Sequence, residues 1–335
     1  MTMQVSGRNV NDVFTDAIWF MRTLGPECHE QSRNGPVLVA PGPVVSKYLC
    51  PWERVLFDTR RDANPTFHLM EAIWMLAGEN RVDWLEQFNS NIGRYANDGI
   101  INGAYGHRWR SHFDDVDQIS YVVNTLRNDA SSRRAVINMW DPVQDRALEW
   151  NDVPCNTTIY FDLRGGKLNM TVCCRSNDAI WGCYGANVVH FSVLQEYVAA
   201  FLRAPMGVYL QFSNNFHIYT DLTLWQDYRV MPPIFAPRYR TAAAKDQWSS
   251  PFVFPLVEHG DRPMEFKEDC FRLLEGVKCK SPFMQRVAEP MKNAYLARKA
   301  GDTKGVADAL TSMANCDWYY ALTDWIKRRD NAQSE

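Results

Sequence analysis

A cysteine becomes a nucleophile when its surroundings favour the thiolate, and one cysteine of this chain is placed beside a cation by a hairpin. Residues 157–175, TTIYFDLRGGKLNMTVCCR, are two β-branched and aromatic runs separated by Gly165-Gly166, the signal of a two-residue hairpin. Pairing Arg164 with Lys167 sets the cross-strand register, so that Asn156 faces Arg175 and Cys155 faces Ser176. The guanidinium is expected to lower the pKa of the neighbouring thiol and favour its reactive form. This pairing distinguishes Cys155 from the other eight cysteines, most of which are expected to be small buried hydrophobes.

A second candidate is a carboxylate. Asn64-Pro65 reads as a helix N-cap with proline in the first turn, and Gly78 as its stop, which predicts a helix over about 65–77. Its apolar stripe runs through Phe67, Met70 and Trp74, and Glu71 falls on the same face. A Glu there either carries protons with a raised pKa or is paired with an arginine such as Arg110.

The elements that must position these groups follow. SNDAIWGCYGAN, after the hairpin, is rich in turn formers, and VVHFSVLQEYVAAFL has the spacing of a core helix through Val188, Phe191, Leu194, Val198 and Phe201. Asn187 stands at its start, as an N-cap or as an amide that donates and accepts towards a pyrimidine edge. In FSNNFHIYTD, alternating Phe216, Ile218 and His217, Tyr219 predict a strand with one polar face.

Composition bounds the rest. The chain has 335 residues, 46% hydrophobic and 22% charged, enough for a large core and unlike a disordered chain. Thirty-six Lys and Arg against 39 Asp and Glu give a net charge of -3 with no basic block, which argues against long nucleic acid as a partner. There is no CxxC pair to suggest zinc, no internal repeat and no linker-like stretch, so one domain over residues 1–335 is expected. The N-terminus has no basic flank leading into an apolar run, and no 18 apolar residues follow one another; the expectation is a cytoplasmic protein without a membrane partner.

Taken in order, these residues resemble the thymidylate synthase family. VPCNTTIYF resembles its nucleophile segment around Cys155, and CRSNDAIWG its RSxD segment, with Arg175, Ser176, Asp178 and Gly182. MEAIWMLAGEN resembles its buried-Glu helix, YGHRWR from Tyr105 its YGxxWR segment, and SSRRAV its double-arginine loop; Asn187, His217 and Tyr219 fall at its nucleoside-binding positions. The resemblance runs over about residues 10–230, and the region from about 230 to 335 diverges from it.

It implies an α+β, three-layer fold on a large mixed, curved β-sheet, and a two-fold dimer. It also implies a nucleotide phosphate held by Arg33, Arg175 and Ser176, with Arg133 and Arg134 supplied by the other subunit. The chemistry implied is addition of the Cys155 thiolate to C6 of a pyrimidine nucleoside monophosphate, activation of C5, and transfer of a one-carbon unit from 5,10-methylenetetrahydrofolate, with no metal. Tyr105 would assist removal of the C5 proton, Glu71 would organise water and shuttle protons, and Glu71, Asp178 and Gly182 would contact the folate.

Three departures bear on the outcome. The chain ends WIKRRDNAQSE, too polar for the apolar tail that closes over folate; Gly93 and Tyr95 stand where the family has two tryptophans; and Asn156 replaces the histidine after the nucleophile. They point to water rather than hydride as the final reactant, and to a cytidylate hydroxymethylase branch acting on CMP or dCMP. Within it the chain resembles the CMP hydroxymethylases of mildiomycin-type antibiotic biosynthesis, and more distantly phage dCMP hydroxymethylases. Asn187 belongs instead to uracil-specific members, so reductive methylation of dUMP stays open as an alternative. A catalytically idle nucleotide- or RNA-binding homologue is the other.

Overall fold

The computed structural model describes residues 3–146, 152–231, 239 and 244–331. The chain begins with β1 (Met3–Gly7), α1 (Val10–Arg22), β2 (His29–Ser32), β3 (Gly35–Val39) and β4 (Val44–Tyr48). There follow α2 (Pro65–Ala77), α3 (Tyr105–Arg110), α4 (Gln118–Asn128), β5 (Val136–Asn138), β6 (Asn156–Arg164) and β7 (Lys167–Asp178). A π-helix (Ala179–Asn187) runs into α5 (Val188–Leu202), then β8 (Met206–Tyr219) and α6 (Thr223–Val230); α7 (Pro263–Glu275), α8 (Glu289–Lys299), α9 (Thr303–Ser312) and α10 (Asp317–Asn331) follow.

Eight strands form one mixed sheet in the order β1-β4-β8-β7-β6-β5, with the β2–β3 hairpin added through β3 to the end of β8. The β1–β4 and β7–β8 pairs are parallel and the others antiparallel. The expected α+β class with a large mixed sheet is therefore observed.

The strongest local signals are realised. In α2 the Asn64 side chain accepts from the Phe67 N–H at 3.0 Å, and Gly78 stops the helix at φ 88°, a conformation that suits glycine. Gly165 and Gly166, at φ 58° and 73°, close the β6–β7 hairpin in the left-handed turn its twist requires.

Packing replaces some expectations. α5 is buried on every side from Val188 to Ala199, because the sheet, α2, α4 and α7 all pack on it. Each fully buried Val, Leu or Phe contributes roughly 1.5–3 kcal/mol, so α5 is a central stabilising element. The turn formers before it are not a turn: residues 179–187 form the π-helix, and Asn187 is helical with no side-chain capping bond, which overturns its N-cap alternative. α7, α8 and α10 pack on α2, and the apolar core is continuous from Val5 to Ile326.

The hairpin register holds from Arg164↔Lys167 to Thr158↔Cys173 and then changes. Thr157 is an extra residue, a β-bulge, so Asn156 pairs with Cys174, and the Arg175 N–H donates to the Cys155 carbonyl at 2.8 Å. Cys155 thus faces Arg175, not Ser176.

Candidate active site

Cys155 lies just before β6, at the end of the sheet where β7 gives way to the π-helix. Its thiol pKa is pushed up, not down: burial outweighs the attraction of Arg175, and Asp152 adds to the rise. The expected lowering by Arg175 is present but is outweighed by burial; the guanidinium itself donates to the carbonyls of Pro154 and Val153, each at 3.0 Å, and faces the Trp140 ring at 5.8 Å. The resting site therefore holds a protonated thiol.

Tyr105, at the start of α3, stands next to it: its hydroxyl accepts from the Asn156 N–H at 3.4 Å, and its ring stacks on Phe191 with centroids 5.7 Å apart. Burial and the nearby thiols raise its pKa, so it is a neutral phenol able to relay a proton. The approach needs Gly106, where any Cβ would run into the backbone of Met75 in α2.

Glu71 does enter the interior, its side chain 12% exposed, but without Arg110, which binds Asp117, the Leu76 carbonyl and Tyr197. Its neighbour is His190 of α5, whose Nε2 is 2.9 Å from Glu71 Oε2.

Asp178 ends β7 and caps the π-helix, its Oδ1 accepting from the Trp181 N–H and, at 3.4 Å, from that of Gly182. Its pKa is raised by burial, against the pull of those N–H groups, His217 and Arg61, and its Oδ2 is buried with no hydrogen-bond partner among the described residues. Arg61 lies under the exposed ring of Trp181 at 4.1 Å. Gly182 is packed against the amides of Asn177 and Asn187. Such an unmatched carboxylate, next to an exposed flat ring and a glycine, fits a heterocycle that offers N–H donors, as a reduced pterin does.

Asn187 donates to Asn177 Oδ1 at 3.1 Å, and Asn177 donates to Ser213 at 3.1 Å, which sets the Asn187 amide in one orientation. His217, paired across the sheet with Asp178, has Nδ1 2.8 Å from Asn215 Oδ1 and sits edge-on to Tyr219. The Tyr219 hydroxyl accepts from Asn34 at 3.5 Å, so the β2–β3 turn with Arg33 reaches the same end of the sheet. Ser176 pairs with Asn215.

Arg133 and Arg134 are exposed ahead of β5, and neither guanidinium has a partner among the described residues. Asn156 is fully buried and its amide donates to the carbonyls of Thr158 and Cys173, at 3.3 and 2.8 Å. Its NH2 group supports the bulge, and its buried Oδ1 has no hydrogen-bond partner among the described residues. Gly93 and Tyr95 lie in a short 3-10 helix, Ser90–Tyr95, none of whose residues is buried. Of the polar tail, residues 332–335 lie outside the described residues.

His190 and Asn177 were not singled out from the sequence. A signal existed for each: His190 is three residues after Asn187, on the same helical face, and Asn177 lies between Ser176 and Asp178. All nine cysteines are free, six of them buried; no group of residues arranged to hold a metal occurs among the described residues, and no described helix is long and apolar enough to cross a membrane.

Residues 54–229 match the family model described as "Thymidylate synthase". The deoxyuridylate hydroxymethyltransferase of Pseudomonas phage M6 is 38% identical over 334 residues, 97% of this chain and 94% of that protein, so the similarity includes the C-terminal region that the family model leaves unmatched. The deoxyuridylate hydroxymethyltransferase of Bacillus phage SP01 is 35% identical over 190 residues, 53% of this chain and 50% of that protein. Among solved structures, thymidylate synthase from T4 phage shares the fold, with a TM-score of 0.53 at 21% identity over 67% of this chain and 81% of that one. On the sequence match, with the fold in agreement, the chain belongs to the thymidylate synthase family of one-carbon transferases.

Proposed function

We propose that the protein is a folate-dependent 5-hydroxymethyltransferase of a pyrimidine nucleoside monophosphate, and that its base is uracil, as in deoxyuridylate. The observation that carries the reading is a neutral tyrosine, Tyr105, held beside the Cys155 segment through the Asn156 N–H, with the unmatched Oδ2 of Asp178 at the end of the partner strand. A pyrimidine C5 is barely nucleophilic until something adds to C6, and the Cys155 thiol would make that addition, its proton leaving as the C–S bond forms. Tyr105 then helps remove the C5 proton, and Glu71 holds the water and accepts its proton.

The folate, as 5,10-methylenetetrahydrofolate, supplies the one-carbon unit. Asp178 and the Gly182 backbone would hold it, because the free Oδ2 of Asp178 needs a donor. Arg33, Arg175 and Ser176 would bind the phosphate, with His217 and Tyr219 at the sugar and Arg133 and Arg134 contributed by a second copy of the chain to a shared site.

One observation supports uracil over cytosine: the Asn187 amide, oriented by Asn177, offers both a donor and an acceptor to the 3- and 4-positions of uracil. The names of the phage M6 and SP01 relatives agree with that choice. Water as the last reactant is supported by the same relatives, both named as hydroxymethyltransferases.

The test is to supply dUMP, dCMP, UMP and CMP separately with 5,10-methylenetetrahydrofolate, identify products by mass and follow dihydrofolate by absorbance. The reading requires 5-hydroxymethyl-dUMP without dihydrofolate. Stoichiometric dihydrofolate with a methylated product would mean reductive methylation, and hydroxymethylated dCMP or CMP would restore the cytidylate assignment.

A further inference from the structure

The contact between Glu71 and His190 has no structural need that the surrounding fold explains. His190 is 3% exposed on α5, Nε2 is 2.9 Å from Glu71 Oε2, and yet neither ring nitrogen nor that carboxylate oxygen makes a well-angled hydrogen bond among the described residues. Buried polar atoms are normally satisfied, and an unsatisfied carboxylate oxygen facing an unsatisfied imidazole nitrogen is expected where a proton has to move. His190 also lies three residues after Asn187, the spacing at which helical side chains are neighbours. The other charged or titratable groups near it are His68 on α2, kept neutral by burial with help from Arg61 and His190, and Arg61 itself on the loop before α2.

We infer that His190 is the positioning and proton-accepting partner of Glu71 in the water-addition half of the reaction, an inference that rests on the hydroxymethyltransferase reading above. In that half the nucleotide bears an exocyclic methylene at C5 and is still bonded through C6 to Cys155. The water oxygen bonds to the methylene carbon, and the electron pair of that double bond moves into the ring. The C6–S bond then breaks, leaving the pair on the Cys155 sulfur as the C5–C6 double bond re-forms. The water proton passes to Glu71 and on to Nε2 of His190. Nothing is oxidised or reduced, and the thiolate and the stored proton balance. The earlier half, removal of the C5 proton, involves Tyr105 and does not need His190.

The two halves can be timed separately. With enzyme in excess over [5-3H]dUMP and 5,10-methylenetetrahydrofolate, tritium release reports the first half and 5-hydroxymethyl nucleotide the second. In His190→Gln, which keeps a polar side chain but cannot exchange a proton in the neutral range, tritium release should stay near wild type while product formation slows by about 10²-fold or more. Nucleotide binding and thermal midpoint report folding. If that substitution unfolds the protein, His190→Asn takes its place, with the same requirement that product formation slow without tritium release slowing to match. Equal slowing of both halves, or no slowing of either, overturns the inference while leaving hydroxymethylation by the wild type intact. A wild-type product that is methylated, with dihydrofolate, overturns the parent reading and this one together.

Discussion

Two buried charged clusters in this molecule are treated in opposite ways. Arg108 and Asp145 are both fully buried, and their guanidinium and carboxylate meet at 2.6 and 2.7 Å. The remaining valences go to the carbonyls of Asn102 and Met139 and to the Asp141 N–H, so the cluster is closed. His190 is buried and Glu71 and Asp178 are half-buried, but the buried Oε2, both imidazole nitrogens and Oδ2 keep unmatched capacity. A closed cluster locks loops together. An open one costs stability and is retained where a ligand or a moving proton completes it.

The sharpest break between the two kinds of cluster is expected at the thiol. Cys155→Ser should abolish turnover and C5 tritium exchange while leaving the thermal midpoint near wild type, since a hydroxyl at that site is far less ionised than even this protonated thiol. Turnover by the serine variant would remove Cys155 from the chemistry.

The closed cluster should respond in the other sense. Arg108→Met leaves the Asp145 carboxylate buried without its counter-ion and should cost about 3–5 kcal/mol in denaturant unfolding, with activity per folded molecule retained. A variant of unchanged stability but lost activity would put Arg108 in the site instead.

A smaller effect is expected from Asn187→Asp. A carboxylate accepts from the exocyclic amine of cytosine but repels the uracil 4-oxygen, so dUMP turnover should fall and dCMP turnover rise by roughly 10- to 100-fold each, the range of a charged hydrogen bond gained or lost. Unchanged discrimination would show that Asn187 does not read the base.

The smallest change concerns Asp317 at the start of α10, which accepts from Tyr239 at 2.8 Å and has its pKa raised to about 7 by burial. A carboxyl raised in the folded state holds its proton longer than in the unfolded chain, so this group's contribution is present at pH 4 and is lost as pH rises through about 7. Asp317→Asn should flatten that loss between pH 5 and pH 8 in urea titrations; an unchanged slope would assign it to other groups.

How far the sequence could be read follows from the range of the forces involved. The bounds of α2 and the β6–β7 turn were legible because a cap and two glycines act within a few residues. Cys155 was legible through the hairpin count, although that count missed the bulge, which is set by long-range contacts: the buried Asn156 amide reaching the Cys173 carbonyl, and the Met139 N–H reaching the Thr157 carbonyl. The π-helix was hidden because its glycines and asparagine read as turn chemistry when their burial is unknown. The thiol pKa was misjudged for a related reason. A sequence shows that a cation is near but not that burial outweighs it.

Thr157 has a meaning beyond its strand. Ile159 and Phe161 are buried on the core side, and strict alternation would put Thr157 with them, yet the fully buried residue is Asn156. The bulge therefore inverts the phase of the strand immediately before the thiol. Deleting Thr157 would leave every catalytic residue type in the protein and restore a regular ladder, but it would rotate Cys155 to the opposite face of the sheet. The placement of Cys155, the nucleophile of the proposed reaction, is thus encoded by a count of residues, which makes this segment far less tolerant of a one-residue deletion than of most substitutions.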